Sequence, residues 1–447
     1  MTDLFASDVS SSSLSLETEF EEKVYTDTSF ENALEAARSG DRLTVDEAVE
    51  LLTTGTDTEG VDAERKEEVL RTADDRRRKV VGDEVTFVAN INNNVTTACD
   101  VGCLFCNFKD APPEFKKEGG NGFTKTVEES RRVVEEARER GVYEVCSVSG
   151  LHPSLVLDEE HREAVEGTSR YTPPDEFVKN PGTYAAQIRA MSSVEDGGES
   201  LHVHAVTPEE AAHARRGTDR SYRDVYERLA DAGLDTVPGT AAEILVDEVR
   251  EAICPNKIDT DGWLDAMRGA AEAGLKTTAT VMYGHVENER HRALHLERVR
   301  DLQDETDAIT EFVPLSFVHE NTPLGDRGVT GASRAEDELM IAVSRLFLDN
   351  IENVQSSWVK YGDELGARML ECGANDFMGT LLSEEITKRA GGDHGEFRSF
   401  EWYAETLRSM GRVPVERSTD YTEQRVVDGP PYGPTLGPHA DGTPLLD

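Results

Sequence analysis

The sequence predicts an α/β fold built as a (β/α)8 TIM-like barrel, with a helical extension before it and a tail after it. Three observations carry this. Eight short β-rich runs alternate with amphipathic helical segments along the central body, which implies a parallel sheet. Eight is also the strand number of a closed barrel. Residues with chemical potential gather just past each run, where barrels place their active sites. An open doubly wound sheet is the alternative.

Residues 1–27, rich in Ser, Asp and Glu, read as an acidic mobile terminus. From 28 to 82 the spacing is helical. Phe30, Ala33, Leu34 and Ala37 share a face, Gly40 stops that helix, and Thr44-Val-Asp-Glu47 is a capping box before Val49, Leu51 and Leu52. The barrel is expected over 83–400. Its candidate strands are 85–90, 143–147, 201–206, 236–238, 276–282, 310–314, 353–359 and 375–379. Thr126-Val-Glu-Glu129 and Thr207-Pro-Glu-Glu210 cap helices between them, with Pro208 at a first helical position where its missing N–H costs nothing. Further helices follow Ser221, Asp261, Asn288, Arg334 and Tyr361, and Gly233, Gly274 and Gly373 mark helix ends. Residues 401–447 read as a C-terminal extension. From about 415 it carries Pro430, Pro431, Gly433, Pro434, Gly437 and Pro438, an extended tail folded over the body. No internal repeat is evident.

Lys and Arg total 47 against 89 Asp and Glu, a formal charge of −42. Such a surface repels nucleic acid and anionic membranes. The acid is spread along the whole chain, as in proteins adapted to very high salt, where screening makes the repulsion tolerable. There is no 18-residue apolar run, and the first residues lack a basic region followed by an apolar core, so a cytoplasmic protein is expected. Cys146, Cys254 and Cys372 stand alone and read as ordinary buried thiols of a reducing compartment.

Cys99, Cys103 and Cys106 are different. They form C-x3-C-x2-C with Phe105 before the last cysteine. Three thiolates cannot complete a tetrahedral zinc site, and a disulfide would leave one thiol over. They can hold three corners of a cubane iron–sulfur cluster and leave one iron open. A zinc knuckle completed by distant His152 or Cys146 is the competing reading. The spacing resembles the radical S-adenosylmethionine (SAM) superfamily. The resemblance implies a 4Fe-4S cluster whose open iron chelates SAM and whose electron breaks the sulfonium bond to give a 5'-deoxyadenosyl radical.

Other strand ends add candidates. Ser149-Gly150 would let backbone approach the amino-acid end of SAM, or form a plain turn. His202 and His204 share a strand face, and His204 lies nearer the strand's end. Pro238-Gly-Thr240 follows the fourth run. Tyr283-Gly-His285-Val-Glu287 sets a phenol, an imidazole and a carboxylate within five residues, a combination that packing does not require. Trp358 and Lys360 are expected on one strand face, and a buried Lys360 would imply an anion or carboxylate nearby.

Longer runs make the resemblance specific: Thr236-Val-Pro-Gly-Thr-Ala-Ala-Glu-Ile-Leu245, Ile253-Cys-Pro-Asn-Lys-Ile258, Val281-Met-Tyr-Gly-His-Val-Glu287, Glu311-Phe-Val-Pro-Leu315, Gln355-Ser-Ser-Trp-Val-Lys360 and Gly373-Ala-Asn-Asp376. Over about 85–400 the chain is similar to the branch holding aminofutalosine synthase, dehypoxanthine futalosine cyclase and the CofH family of deazaflavin (FO) synthase subunits. It is nearest to the CofH family. What that implies is transfer of the 4-hydroxybenzyl group of L-tyrosine to 5-amino-6-(D-ribitylamino)uracil. A hydrogen is taken from tyrosine, its Cα–Cβ bond breaks, and the benzylic radical adds to ring carbon 5. The remnant leaves as a glycine-derived imine. A menaquinone-pathway activity on an enolpyruvyl or purine substrate, or a paralogue with another substrate, is the alternative within the superfamily; a zinc-stabilised scaffold is the alternative outside it.

By the resemblance, Cys99, Cys103 and Cys106 hold the cluster with Phe105 beside the adenine, and Ser149, Gly150 and His204 lie near SAM. Tyr283, His285, Glu287, Glu311, Trp358, Asn375 and Asp376 are expected on the substrate side, with Asn375 and Asp376 suited to a uracil edge. The CofG subunit and an electron donor are the expected partners. The chain departs from the family pattern at Val148-Ser149, where Gln-Gly is usual, at Met378, where a glycine is usual, and across Asn92–Ala98.

Overall fold

In the computed structural model, which describes residues 28–54, 61–111, 116, 118, 122–168, 171–192 and 200–427, parallel strands wrap a polar interior. The strands are β1 (Glu84–Val88), β2 (Asn90–Asn92), β3 (Glu144–Ser147), β4 (His202–Ala205), β5 (Thr236–Val237), β6 (Lys276–Tyr283), β7 (Ile309–Ser316), β8 (Asn353–Val354), β9 (Asp376–Gly379), β10 (Val413–Arg417) and β11 (Gln424–Val426). A seven-stranded parallel sheet runs β2 to β8 in chain order, with helices between its strands. That order has no reversal, which separates it from a doubly wound sheet.

The ring closes through β1 and β9. β1 and β2 are one strand broken at Ala89. Its upper part pairs with β3 (Asn90 opposite Glu144), and its lower part pairs with β9 (Thr86 opposite Asp376). β9 meets the end of β8 through a parallel bridge from Gln355 to Asp376. All eight expected barrel strands are present. The seventh is shorter than expected: Asn353–Val354 is strand, and Trp358–Met369 is helix with Ser357 before it. Trp358 and Lys360 therefore do not share a strand face. β-branched Val354 and Val359 suggest a longer strand, but Ser356 Oγ donates to the Gly366 carbonyl (2.8 Å) and the chain turns into helix.

The expected capping boxes at Thr44, Thr126 and Thr207 are all formed, and Gly40 takes the left-handed conformation that ends its helix. The helix expected after Asp261 begins two residues earlier, because Asp259 accepts from the Gly262 N–H. The N-terminal extension is three helices, Phe30–Ser39, Val45–Leu52 and Val61–Val81. They seat on the barrel's outer helices through Arg300 Nη1 to the Leu43 carbonyl (2.7 Å) and the Lys66–Glu338 ion pair (2.6 Å).

The described part of the C-terminal extension is not a tail laid over the body. Helix Phe400–Ser409 packs on β1, with the Tyr403 ring stacked on Phe87 at 4.3 Å. β10 then joins β1 in parallel (Val85 opposite Pro414), and β11 folds back on β10. The acidic terminus 1–27 and the proline-rich run with Pro430, Pro431, Gly433, Pro434, Gly437 and Pro438 lie outside the described residues.

Gly239, just past β5, shows how tightly the wall is drawn. A Cβ there would lie 2.0 Å from the Thr278 carbonyl oxygen, and the Gly239 N–H donates to Thr278 Oγ1 at 3.0 Å. Gly239→Ala should lower the unfolding free energy by about 1–3 kcal/mol. Denaturant titration in high salt checks this, and an unchanged midpoint would contradict the packing described.

Candidate active site

The cysteine loop leaves β2 and is tied down at both flanks. The Asp110 N–H donates to the Thr97 carbonyl (2.9 Å), and Lys109 Nζ donates to the carbonyls of Cys103 (2.6 Å) and Cys106 (2.7 Å). Ser149-Gly150 packs directly beneath. A Cβ on Gly150 would lie 2.3 Å from the Ala98 carbonyl oxygen, and Ser149 Oγ accepts from the Val95 N–H (2.7 Å). The glycine is therefore required by the loop crossing itself.

Cys99, Cys103 and Cys106 are free thiols that open on one cavity of about 230 Å3 at the C-terminal mouth of the barrel. Burial pushes the Cys99 and Cys103 thiols up, so ionising them needs a positive partner, which a bound metal centre supplies. Among the described residues, no three His, Cys, Asp or Glu side chains converge on a point as a single metal ion requires. His152 is buried with Nδ1 on Ser154 Oγ (2.8 Å), and Cys146 lines a different cavity, so neither completes a zinc knuckle. Three thiols on one loop, facing one cavity, fit a cubane cluster.

The same cavity is walled by carboxylates. Glu210 Oε1 accepts from the Ser149 N–H (3.2 Å) and Oε2 caps Thr207. Burial pushes its carboxyl up to about 7. Glu209 accepts from the Ile258 N–H (3.1 Å), and Lys257 pairs with Glu243 at 2.5 Å while lying 5.6 Å from the Phe105 ring centre. Leu315, Phe317, Val318 and Met282 supply an apolar side.

A second cavity of about 220 Å3 descends inside the barrel. Val148, Thr240, Leu315, Lys360 and Ile386 line both, so the two meet at a waist. Its floor is polar. Arg417 Nη2 donates to Glu311 (2.7 Å) and its Nε to Asp376 (2.6 Å), while Gln355 Nε2 donates to the other Glu311 oxygen (2.5 Å). Tyr421 Oη donates to Glu311, and Thr419 Oγ1 to Glu144. Burial, reinforced by Asp376, raises the Glu311 carboxyl to about 7 against the pull of Arg417.

The expected site residues divide clearly. Cys99, Cys103, Phe105, Cys106, Ser149 and Gly150 meet in the first cavity. Glu311 lines the second. His204 does too, away from the cysteines: its Nδ1 shares Thr236 Oγ1 (2.8 Å) with His202 Nε2, and burial pushes it down to about 4, leaving it neutral. Tyr283, His285, Glu287, Trp358, Asn375 and Asp376 line neither cavity. Tyr283 Oη donates to Asp337 (2.8 Å). Trp358 Nε1 donates to the Gly379 carbonyl (3.1 Å). Asn375 Oδ1 accepts from Arg345 and the Val354 N–H, and Asp376 is consumed by Arg417 and Thr86 (2.6 Å each), so this pair offers no edge to a uracil.

Glu287 ties the turn after β6. It accepts from the N–H groups of Gly284 (2.6 Å) and His285 (2.9 Å) and from Arg292 Nε (2.9 Å). Met378, where the family usually has glycine, is left-handed (φ 67°) and carries that strain on the second cavity's wall.

Sequence reasoning missed Arg417, Thr419 and Tyr421. The alternation of Val413-Pro-Val415-Glu-Arg417 was the available signal. It also missed Glu144, Cys146 and Glu384, all on the second cavity; Cys146 is half-buried there.

A cysteine loop at the mouth of a parallel barrel defines a radical SAM enzyme. The Radical SAM superfamily profile matches residues 93–299, and the CofH/MqnC C-terminal region profile matches 306–429. Proteins named 5-amino-6-(D-ribitylamino)uracil–L-tyrosine 4-hydroxyphenyl transferase align over nearly the whole chain. The one from Haloarcula marismortui is 66% identical, covering 96% of this chain and 97% of its own. The one from Halobacterium salinarum is 63% identical over 94% of each, and the one from Methanoculleus marisnigri 41% over 87% and 96%. Among solved structures, methylornithine synthase (PylB) superposes with a TM-score of 0.60 at 17% identity, covering 86% of this chain and 97% of its own. The FeFe-hydrogenase maturase HydG from Carboxydothermus hydrogenoformans gives 0.58 at 16%, covering 88% and 81%. The chain belongs to the 4-hydroxyphenyl transferase family of the radical SAM superfamily.

The Glu287 network makes a pH prediction. Burial alone would push this carboxyl up, but His285, Arg292 and the two N–H groups hold it far below its usual 4.5. Its contribution to stability is therefore present above about pH 4.5 and fades as the pH falls below it. Glu287→Gln should cost about 3 kcal/mol at pH 7, and the deficit should shrink on acidification. A deficit independent of pH in denaturant titrations would contradict the assignment.

Proposed function

We propose that this chain transfers the 4-hydroxybenzyl group of L-tyrosine to carbon 5 of 5-amino-6-(D-ribitylamino)uracil, releasing a glycine-derived imine. One observation carries the reading: the cavity of the three thiols meets, at a shared waist, a second cavity lined by polar side chains. Cys99, Cys103 and Cys106 would hold the cluster, and bound cluster and SAM would together supply the radical chemistry.

The protein's own part is placement. Ser149, Gly150 and the Glu209 and Glu210 carboxylates border the space beside the cysteines, where a cationic sulfonium ligand with an amine suits acidic walls. Leu315, Phe317 and Val318 keep water and stray hydrogen donors away. Beyond the waist, Glu144, Glu311, Gln355, Arg417 and Thr419 offer the mixed donors and acceptors that a ribityl chain and a uracil edge require. Tyrosine then belongs between them, within reach of both.

The reading extends to partners. An electron donor reduces the cluster, and the CofG subunit consumes the coupled product by closing the deazaflavin ring. The work is proposed to be cytoplasmic; among the described residues no helix is long and apolar enough to cross a membrane.

Anaerobically reconstituted protein, given dithionite, SAM, L-tyrosine and the diaminouracil, should yield the coupled product by mass. Alanine at Cys99, Cys103 and Cys106 should abolish the brown absorption and deoxyadenosine release together. Wild-type protein without bound iron and sulfide, or one that consumes an enolpyruvyl or purine substrate instead, would overturn the proposal.

A further inference from the structure

Lys360 occupies a position no other charged residue shares, on the lining of both cavities. The other four residues of the waist are Val148, Thr240, Leu315 and Ile386, none ionisable. Its ammonium has three protons to donate. One goes to Thr387 Oγ1 at 2.9 Å. No carboxylate of the described residues lies within ion-pairing distance, although Lys257 in the same first cavity is paired with Glu243. Glu384 is the nearest acid by influence, but its Oε2 is turned to the N–H groups of Thr387 (2.8 Å) and Lys388 (3.3 Å).

Lys360 is half-buried, and a cation there satisfied by one neutral hydroxyl has capacity that a ligand can complete. The other cations lining the two cavities are satisfied, Lys109 by the carbonyls of Cys103 and Cys106 and the remaining two by anions. Arg417 holds two carboxylates and Lys257 holds one. Lys360 keeps two donor directions open toward ligand space.

We propose that Lys360 is the carboxylate receptor for the amino-acid substrate, anchoring the α-carboxylate of L-tyrosine at the waist. This rests on the functional reading above and deepens it. An α-amino acid gripped there stands between the cysteine cavity, where the radical arises, and the polar floor, where the acceptor ring is held. The anchor also retains the part of tyrosine that departs, leaving the hydroxybenzyl fragment free to move toward the acceptor. Glu384, beside the same wall, offers its second oxygen to the substrate's amino group.

The test compares L-tyrosine with tyramine, which lacks the carboxylate, in reconstituted wild-type enzyme and in Lys360→Gln and Lys360→Arg. Removing a half-buried charge that has no ion-pair partner does not threaten the fold, so the Gln variant is expected to be as stable as the parent. Lys360→Gln should raise KM for L-tyrosine on the order of 10- to 100-fold, leave KM for SAM unmoved, and erase the preference for tyrosine over tyramine. Lys360→Arg should recover part of the affinity. If wild-type enzyme forms product from tyrosine while Lys360→Gln keeps its KM and its discrimination against tyramine, the Lys360 assignment alone fails. A rise confined to KM for SAM overturns it as well. If wild-type enzyme makes no coupled product, both readings fail together.

Discussion

One guanidinium holds this structure's interior together. Arg417 reaches into the barrel from β10 and divides its donors between Glu311 on β7 and Asp376 on β9, all three side chains essentially buried. A carboxylate left unpaired at such depth costs several kcal/mol, so the two acids make the C-terminal strand obligatory. That strand docks along β1, the part of the broken strand that β3 does not cover, and delivers Thr419 and Tyr421 to the same interior. The barrel wall and the floor of its deeper cavity are thus completed by residues of the C-terminal extension.

This division of labour explains why two cavities of similar size differ in character. The upper one is built from the cysteine loop and strand ends of β3, β6 and β7, with an apolar side suited to a reactive intermediate. The lower one is lined by inward-facing polar residues of nearly every strand plus the C-terminal insertion. Polar groups at such a depth are tolerated because they are hydrogen-bonded to one another, and those left with spare capacity are the ones a ligand can use. The chain's large negative charge belongs elsewhere. Most of it is solvent-facing, where short screening lengths in concentrated salt blunt repulsion, in keeping with the relatives from Haloarcula and Halobacterium.

Much of this was legible in the residue pattern. Short β-branched runs bounded by capping boxes gave all eight barrel strands, because local hydrogen bonding at Thr44, Thr126 and Thr207 decides where helices begin. The cysteine loop was legible because its spacing is itself the chemistry. What spacing could not reveal was direction. Tyr283, His285 and Glu287 sit at a strand end, yet the helix that follows supplies Arg292, and the carboxylate turns to it and to backbone N–H groups rather than inward. Asn375 and Asp376 were similarly claimed by Arg345 and Arg417, residues far away in the chain. Trp358 was lost to a strand that ended early. Long-range ion pairs carry no local signature, so the C-terminal strand and its arginine could be recognised only once folded.

Strand β10 and the residues that follow it are proposed to wall the acceptor's binding site. Amide hydrogen exchange across 413–427, in cluster-loaded enzyme with and without the diaminouracil, measures this directly. Slower exchange at Val415–Thr419 on adding the uracil is the predicted result. Unchanged exchange there, with protection confined to the cysteine loop, would contradict it.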